Sequence, residues 1–474
     1  MSFRRRASVW IGLLLVVAAL FGGGRYYYLW QKRLLRVGDV AIDPLRAIEP
    51  TKAYDVLVWE YDLYIPGVNP ELRRAALEAA AAELQELHPN IRIRFEWFEG
   101  SPSAERLLEA LEAGVGPDIA ALAGGAVLVD TAYQVPVTPY MQAATREDLL
   151  PAVAAAVGSG EHLWVWPRWI DMTVWVGRAA SVRELADRPA LGVDELLQLR
   201  QTWHAPGSSG SPVVYQVYDP ALFLAVAVGI TGRSLLTSDG ALAWSRDEIA
   251  RAAGVLSGMA SEGLLSRDAD EISRTRLRRF YEGEAHLMGP VNRTLLHHVL
   301  SRFGDLTHDA ERIAPPEGMA EVAILSAPLP DGRLLGQYGT VASYAVFRRT
   351  DHAGDDHTQA VMQVAQHLSR RMGYWEAANL LAVPPYASSL TSWSRDAGLI
   401  QEQAEALIVL AERLAAPPVD AYWSLIEQRA AEEVIVPLLP DLIRGEITAE
   451  RFAEEVVRGV QSFLATRTAP ASTL

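Results

Sequence analysis

The sequence contains no cysteine. This absence excludes disulfide bonds, thiol catalysis, zinc sites built from cysteine and lipid attachment through an N-terminal cysteine. Basic residues are also scarce beyond the N-terminus. Seven of the 43 lysines and arginines fall within residues 1–36, which leaves the remainder with a formal charge of 36 − 58 = −22. Nucleic acid phosphates repel a body this acidic, so we expect no nucleic acid partner.

Patterns that would mark a cofactor or a metal are lacking too. No Walker A motif or dinucleotide-binding glycine pattern occurs, and His297 and His298 are adjacent rather than spaced four apart as in a helical zinc site. The stretch "GSSGS" ends in Ser211, where a nucleophile elbow needs glycine. We therefore expect no cofactor, no metal and no catalytic residues.

The N-terminus carries a targeting signal. Arg4, Arg5 and Arg6 precede the uncharged run 7–24, which Arg25 and the aromatic residues around Tyr26 and Trp30 follow. Two interpretations are open: a cleaved signal peptide, or an uncleaved helix that would span roughly 27 Å. Aromatic rings at a membrane interface favour the helix. We expect one transmembrane helix in the cell membrane, with the N-terminus cytoplasmic and the body extracytoplasmic.

The first third of the body alternates strands with helices. "YDVLVWEY" (54–61), "IRIRFEWF" (91–98) and "PDIAAL" (117–122) are typical of strands, while residues 70–90 and 103–114 show helical spacing. This alternation predicts a parallel sheet with helices on its faces, and ligands bind such sheets beyond the carboxyl ends of the strands. Residues 37–53 lack a sustained periodicity and are predicted to be a tether.

Asp118 is conspicuous within "LEAGVGPDIAAL" (111–122) because it lies between a helix stop and an apolar strand. Gly114 can adopt a left-handed cap, and Pro117 cannot continue a helix. A carboxylate at such a turn accepts backbone amide hydrogen bonds. We therefore interpret Asp118 as a structural residue and not as a ligand or catalytic group.

Ordered motifs over residues 54–466 resemble the family 1 extracellular solute-binding proteins, the sugar-binding group of ABC importers. The motifs that carry the resemblance are "ELHPNIRIRF", "LEAGVGPDIAAL", "LTSDGALAWSRDEIARAA", "RRFYEGEAHLMGPVN", "AILSAPLPDG", "YGTVASYAVFRR", "LAVPPYASSL" and "GEITAERFAEEVVRGVQSFL". The resemblance implies the α/β, two-lobed, periplasmic-binding-protein-like fold of type II, with a hinge between the lobes.

On this resemblance the chain divides into six parts. They are the cytoplasmic tip and anchor (1–36), the tether (37–53), the first part of lobe 1 (54–165), the first part of lobe 2 (166–328), a return segment of lobe 1 (329–385) and C-terminal helices mainly of lobe 2 (386–474).

The resemblance also implies ligand-binding positions, at which aromatic rings stack on sugar faces and polar groups bind hydroxyls. Matched one at a time, these positions are Trp59, Glu60, Tyr61 and Asp62 at the end of the first strand, Trp169 and Asp171 at the first crossover, Asp219, Asn292 and Trp423. Three further positions depart from the pattern. Leu122, Ala221 and either Val291 or Asn292 stand where the maltose-binding members have stacking aromatic residues.

Three functions are compatible with these features. The first is a membrane-tethered extracytoplasmic protein that binds a carbohydrate or related polar solute and delivers it to the membrane subunits of an ABC importer. The second is a tethered sensory or scaffold module that kept the fold and binds a protein partner. The third is a glycan-processing enzyme with paired carboxylates, a pattern of very low specificity in an acidic chain.

Overall fold

The computed structural model describes residues 34–37, 40–64, 69–124, 133–182, 189–203, 211–267, 273–301, 322–348, 354–418 and 421–466. The strands are β1 (Leu35–Val37), β2 (Val40–Ile42), β3 (Tyr54–Tyr61), β4 (Ile91–Phe98), β5 (Ile119–Leu122), β6 (Gly158–Ser159), β7 (His162–Leu163), β8 (Val165–Met172), β9 (Val174–Arg178), β10 (Leu191–Gly192), β11 (Val213–Val214), β12 (Leu287–Val291), β13 (Val322–Leu325), β14 (Pro328–Leu329), β15 (Gln337–Val346) and β16 (Leu414–Ala415).

The helices are α1 (Pro70–Leu87), α2 (Ala104–Glu112), α3 (Ala143–Glu147), α4 (Pro151–Ala156), α5 (Val193–Trp203), α6 (Ala221–Thr231), α7 (Arg246–Ser261), α8 (Ser273–Glu282), α9 (Arg293–Ser301), α10 (Asp355–Leu380), α11 (Leu390–Asp396), α12 (Gln401–Ala411), α13 (Ala421–Ala430), α14 (Leu439–Arg444) and α15 (Ala449–Ala465). Short 3₁₀ turns occupy Thr138–Tyr140, Ala179–Ser181, Ala387–Ser389 and Val436–Leu438, and a π turn occupies Ala431–Ile435.

The first lobe is built on a six-stranded sheet. Its order is β16-β15-β5-β3-β4, and β8 also pairs with β15. β3 runs parallel to β4 and β5, while β15 runs antiparallel to β5 and β8. The predicted parallel strands are therefore present, but a long antiparallel strand inserted from later in the chain makes the sheet mixed. α10 covers it, packing against β8, β3 and α1.

Local signals set the elements of this lobe. Asn69 caps α1 by accepting a hydrogen bond from Glu71 N, and Pro70 occupies the first turn, where its missing N–H costs nothing. After α2, Gly114 adopts a left-handed conformation with φ of 72°. Asp118 then accepts a hydrogen bond from Leu57 N at 2.8 Å through its buried carboxylate. Its predicted structural role is thus confirmed, because it joins β5 to β3.

The second lobe is built on a four-stranded sheet of order β11-β12-β9-β13. β12 is parallel to β11 and antiparallel to β9, which also pairs antiparallel with β13. The sheet is covered on both faces. Trp175 and Leu325 face a core shared with α6, α7 and α15, whereas Val176 and Ile324 join the apolar cluster that continues into the first lobe.

The lobe connections differ in detail from the expected boundaries. β8 begins at Val165 but stays in the first sheet until Met172, so the chain crosses to the second sheet at Thr173. Among the C-terminal helices, α11 and α12 contribute Trp393 and Leu407 to the first lobe's core, and only the helices from α13 onward pack in the second. Pairing with β15 holds β8 and β16 in the first sheet, which segment boundaries in the sequence do not reveal.

Residues 41–53, expected to belong to a tether, pack against the first lobe. Ile42 is buried in its core, Lys52 Nζ lies 2.6 Å from Asp356 Oδ2, and Asn90 Nδ2 donates to the carbonyls of Glu49 and Lys52 at 3.1 and 3.0 Å. The expected membrane anchor lies outside the described residues. Within the part of the chain that the structure describes, no helix combines the length and apolar character needed to cross a membrane.

Candidate functional site

The two sheets meet where several strands end. β3, β5 and β8 all run in one direction, so the residues at their carboxyl ends lie along one edge of the first sheet. Val174, the first residue of β9, pairs with Val291, the last residue of β12, which places Asn292 and Arg293 beside the Thr173 crossing. We call the surroundings of Tyr61, Asp171, Thr173 and Arg293 the interlobe junction.

An ion pair spans this junction. Arg293, at the first position of α9 in the second lobe, donates from Nη1 to Asp171 Oδ2 on β8 of the first sheet. The two side chains are 21% and 24% exposed, so the pair is partly shielded from solvent. Burial raises the pKa of Asp171, and the charge of Arg293 opposes that rise. The acidic position predicted for the ligand is therefore neutralised by the opposite lobe.

Three polar atoms near this ion pair are buried without a hydrogen-bond partner. They are Tyr61 Oη, Trp169 Nε1 and Arg293 Nε. Burial raises the pKa of Tyr61 to about 12, and the charges of Arg168 and Arg293 oppose the rise, so both guanidinium groups lie in its neighbourhood. Buried polar groups in native proteins are nearly always satisfied, so unpartnered atoms beside a crossing between lobes are candidates for contact with a water or a ligand.

Glu60 has a different environment from its neighbour Tyr61. Its carboxylate is fully buried and binds Arg73 Nη2 at 2.8 Å, while Arg168 Nη1 lies at 3.5 Å and the Tyr344 hydroxyl donates to Oε1. Glu376 of α10 bridges the same two arginines, at 2.7 Å from Arg73 and 2.5 Å from Arg168. We call Glu60, Arg73, Arg168 and Glu376 the buried ion cluster. Its ion pairs link β3, β8, α1 and α10 to one another.

Trp59, on β3, and Asp62, directly after it, flank Glu60 and Tyr61 and also have partners within the protein. Trp59 is buried, its indole donates to Glu96 Oε2 at 3.0 Å, and its ring centroid lies 4.9 Å from that of Phe98. Asp62 accepts from Arg74 at 2.8 and 3.1 Å in an exposed pair. The structure thus places Trp59 within the edge of the first lobe's core. Ligand contact by these two residues stays a prediction.

Asp219 and Asn292 both lie at the amino ends of helices in the second lobe. Asp219 Oδ1 accepts from Ala221 N at 2.9 Å where α6 begins. Asn292 Oδ1 accepts from Leu295 N at 3.0 Å where α9 begins. Both contacts satisfy backbone amides in the first turn that the helix itself leaves free. Asn292 directly follows β12, whose last residue pairs with Val174 at the junction.

The indole ring of Trp423 packs against the protein on one face. It is half-buried, and its six-membered ring lies flat against Gly240, because a Cβ added at Gly240 would come within 2.3–2.4 Å of three ring atoms. Tyr422 contacts it edge-on, with centroids 4.9 Å apart. The backbone around Gly240 is held to the same helix, since Glu427 accepts hydrogen bonds from the Ser234 hydroxyl and from Leu236 N at 2.8 Å. One face of the ring is therefore occupied by the protein.

The three departures from the maltose-binding pattern leave apolar surface. Leu122 and Val291 are fully buried at the ends of β5 and β12, and Ala221 starts α6. None of these side chains can stack on a sugar ring. The aromatic sites of a long maltodextrin are therefore missing at these positions.

Two openings on the described surface are lined by residues other than Tyr61, Asp171, Thr173 and Arg293. A cavity of about 220 Å³ is lined by Asp148, Arg370, Tyr374 and Tyr386 among others, and a groove of about 650 Å³ runs between Leu45, Leu87 and Gln363. No group of acidic and histidine side chains that could hold a metal ion occurs within the described residues.

Comparison with known proteins gives the fold a precedent. No protein-family model and no curated protein matches the sequence. Solved structures match over most of the chain. The sugar-binding protein MalE of Xanthomonas citri has a TM-score of 0.68 at 18% identity, covering 87% of this chain and 98% of its own. The chain has the fold of the sugar-binding proteins.

Two further structures with this fold show the same breadth of coverage. The GacH receptor of Streptomyces glaucescens, solved unliganded and with acarbose, has a TM-score of 0.60 at 16% identity and is covered over 100% of its length, against 88% of this chain. A cyclo/maltodextrin-binding protein complexed with maltotetraose has a TM-score of 0.64 at 14% identity, with 88% and 99% covered. The predicted two-lobed α/β architecture is thus confirmed.

Sequence reasoning missed Arg293, Arg73, Arg168 and Glu376. Arg293 directly follows Asn292, which the resemblance does point to, yet its partner lies 122 residues away on another sheet. The only sequence signals for the two other arginines are a basic residue inside an apolar helix face, at Arg73, and one inside an aromatic strand, at Arg168. A buried charge needs an opposite charge, so either arginine could have suggested a search for buried carboxylates.

Proposed function

We propose that the protein is a membrane-tethered extracytoplasmic solute-binding protein that captures a carbohydrate or related polar solute and delivers it to an ABC importer. The observation that carries this proposal is the set of buried, unpartnered polar atoms at the interlobe junction, Tyr61 Oη, Trp169 Nε1 and Arg293 Nε. A polar solute enclosed between the lobes would satisfy them. The sugar-binding fold and the half-buried ring of Trp423 support the same interpretation.

The physical basis of capture is a shift in the lobe equilibrium. A ligand that contacts both lobes favours the closed form by its difference in affinity for the two forms. The Asp171–Arg293 ion pair already joins the lobes in this conformation. A solute that adds contacts to both sides of this pair would therefore hold the closed form further.

Thermal unfolding of the full-length chain with a panel of sugars, polyols and sugar phosphates tests the proposal. A true ligand stabilises the protein by mass action, by about 2.7 kcal/mol at 100 times its Kd. Trp423→Ala is the matched variant and should reduce the shift. If no compound gives a shift while a protein copurifies with the chain, the alternative function as a scaffold module is supported instead.

Membrane tethering and the importer partner need their own measurements. Intact mass of the membrane-extracted native protein distinguishes an uncleaved anchor from a signal peptide cut near Gly24. Copurification of the transmembrane subunits of an ABC importer with the tagged chain tests the partner. A mass lower by about the mass of the signal peptide would refute the uncleaved anchor. A protein that binds solute but does not copurify with importer subunits would refute the transport role.

A further inference from the structure

We propose that the preferred solute is a sugar carrying an anionic group, a carboxylate or a phosphate, which Arg293 binds. This inference rests on the proposed function and narrows its substrate class. It rests on which hydrogen-bonding groups at the ligand positions already have a partner in the protein and which have none.

Each acceptor at the predicted ligand positions already receives at least one hydrogen bond from the chain. The Glu60 carboxylate is held by Arg73, Arg168 and Tyr344. The remaining acceptors and their donors are Asp62 with Arg74, Asp171 with Arg293, Asp219 with the Ala221 amide and Asn292 with the Leu295 amide. The hydroxyls of a neutral sugar can donate as well as accept, whereas a carboxylate or phosphate only accepts, so acceptors that already have donors favour a neutral sugar less than free donors favour an anion.

The free groups at the junction are donors. Arg293 Nε and Trp169 Nε1 can only donate, and neither has a partner. Tyr61 Oη is also unpartnered, and because burial raises the pKa of this phenol to about 12, it keeps its proton and can donate at neutral pH. Tyr61 is 4% exposed and Trp169 is fully buried, so water has little access to either side chain.

These donors belong to one neighbourhood. Trp169 lies two residues before Asp171 in an uninterrupted register with β15, so the two side chains share a face of β8. Asp171 holds Arg293 through Nη1, and Nε of the same guanidinium is buried without a hydrogen-bond partner. The Nε edge of a guanidinium matches the geometry of a carboxylate or phosphate. Asp171 thereby orients the Arg293 guanidinium but does not use its Nε–H, which can donate to an anionic ligand.

The position of Arg293 at the start of α9 adds to this preference. The first amides of a helix have no partner within it, and the helix dipole places positive potential at this end. Asn292 already accepts from Leu295 N, while Arg293 contributes a full charge at the same terminus. A cation would meet Arg293 and the helix terminus together, so a basic solute is disfavoured.

Titration calorimetry on the full-length chain tests the inference. The probes are glucose, galactose and mannose, each compared with its uronic acid and its 6-phosphate. We expect at least one acidic member to bind about tenfold or more tightly than its neutral parent, because charge-assisted hydrogen bonds are roughly twice as strong as neutral ones. Uronic acid and phosphate arms distinguish the two sources of the anionic group.

Variants separate recognition from folding. Arg293→Met should abolish the preference for the acid, Tyr61→Phe should weaken it while keeping the ring, and Arg429→Met on an exposed helix face should leave it unchanged. Unfolding midpoints of all variants confirm that each is folded, and Arg293→Lys retains the charge if the methionine variant is unstable.

The binding results distinguish a failure of this inference from a failure of the proposed function. Neutral sugars that bind as tightly as the acids, or a preference that survives in Arg293→Met, would overturn this inference and leave the proposed function standing. No binding by any neutral or acidic member would count against both.

Discussion

Replacing Glu427 with glutamine is expected to remove a loss of stability that the native protein suffers between pH 5 and pH 8. Glu427 lies on α13 and is 2% exposed. Burial raises its pKa from 4.5 to about 7, and the hydrogen bonds from Ser234 and Leu236 oppose the rise. The folded protein therefore holds this proton more tightly than the unfolded chain does.

The sign and size of the effect follow from this difference. The stability contributed by the proton is fully present below about pH 4.5 and is lost as the pH rises through about 7. At about 1.36 kcal/mol per pKa unit, the whole loss is about 3 kcal/mol, of which about 2 to 3 kcal/mol falls between pH 5 and pH 8. Glutamine can keep both contacts, since its carbonyl can accept from Leu236 N and its amide can donate to the Ser234 hydroxyl.

Urea unfolding of both proteins at pH 5 and pH 8 measures the effect. The stability of Glu427→Gln relative to the native protein should increase by about 2 to 3 kcal/mol between the two pH values, with the slope of the transition unchanged. Glu432→Gln, an exposed change on the adjoining turn, is the matched control and should alter stability by less than about 0.5 kcal/mol. If both variants show the same pH dependence as the native protein, the assignment of the effect to Glu427 is refuted.

Three other perturbations are expected to have definite results. Glu376→Gln leaves two buried guanidinium groups short of charge and should cost about 3 to 5 kcal/mol in urea unfolding; a cost below about 1 kcal/mol would contradict the buried ion cluster. Asp118→Ala removes the acceptor of a β3 amide and should cost about 1 to 3 kcal/mol in the same assay, and an unchanged midpoint would argue against its structural role. Gly240→Ala should displace the ring of Trp423 and weaken solute binding in calorimetry, whereas Gly445→Ala, with φ of 77° and no atom near the added Cβ, carries only the backbone strain; equal affinities would remove the ring from the site.

The elements of the first lobe could be predicted closely from local patterns. β3 and β4 cover the same residues as the strands predicted at 54–61 and 91–98, and α1 and α2 end within three residues of their predicted stops. Such agreement is possible because periodicity, capping residues and turn residues act over a few positions. The antiparallel placement of β15 between β5 and β8 could not be predicted in this way, since pairing partners more than a hundred residues apart leave no local signal.

The candidate site likewise has features that the sequence predicts and features that only the tertiary structure shows. The motif order carried the resemblance to the sugar-binding fold and pointed to Tyr61, Asp171 and Trp423, because the ends of strands and helices recur at fixed places in that fold. Only the tertiary structure decided how these groups are used. Glu60 forms ion pairs with two arginines, and Asp171 forms an ion pair with Arg293 across the junction. Whether a carboxylate is free for a ligand depends on charges that reach it through space, and those partners are set by packing rather than by sequence spacing.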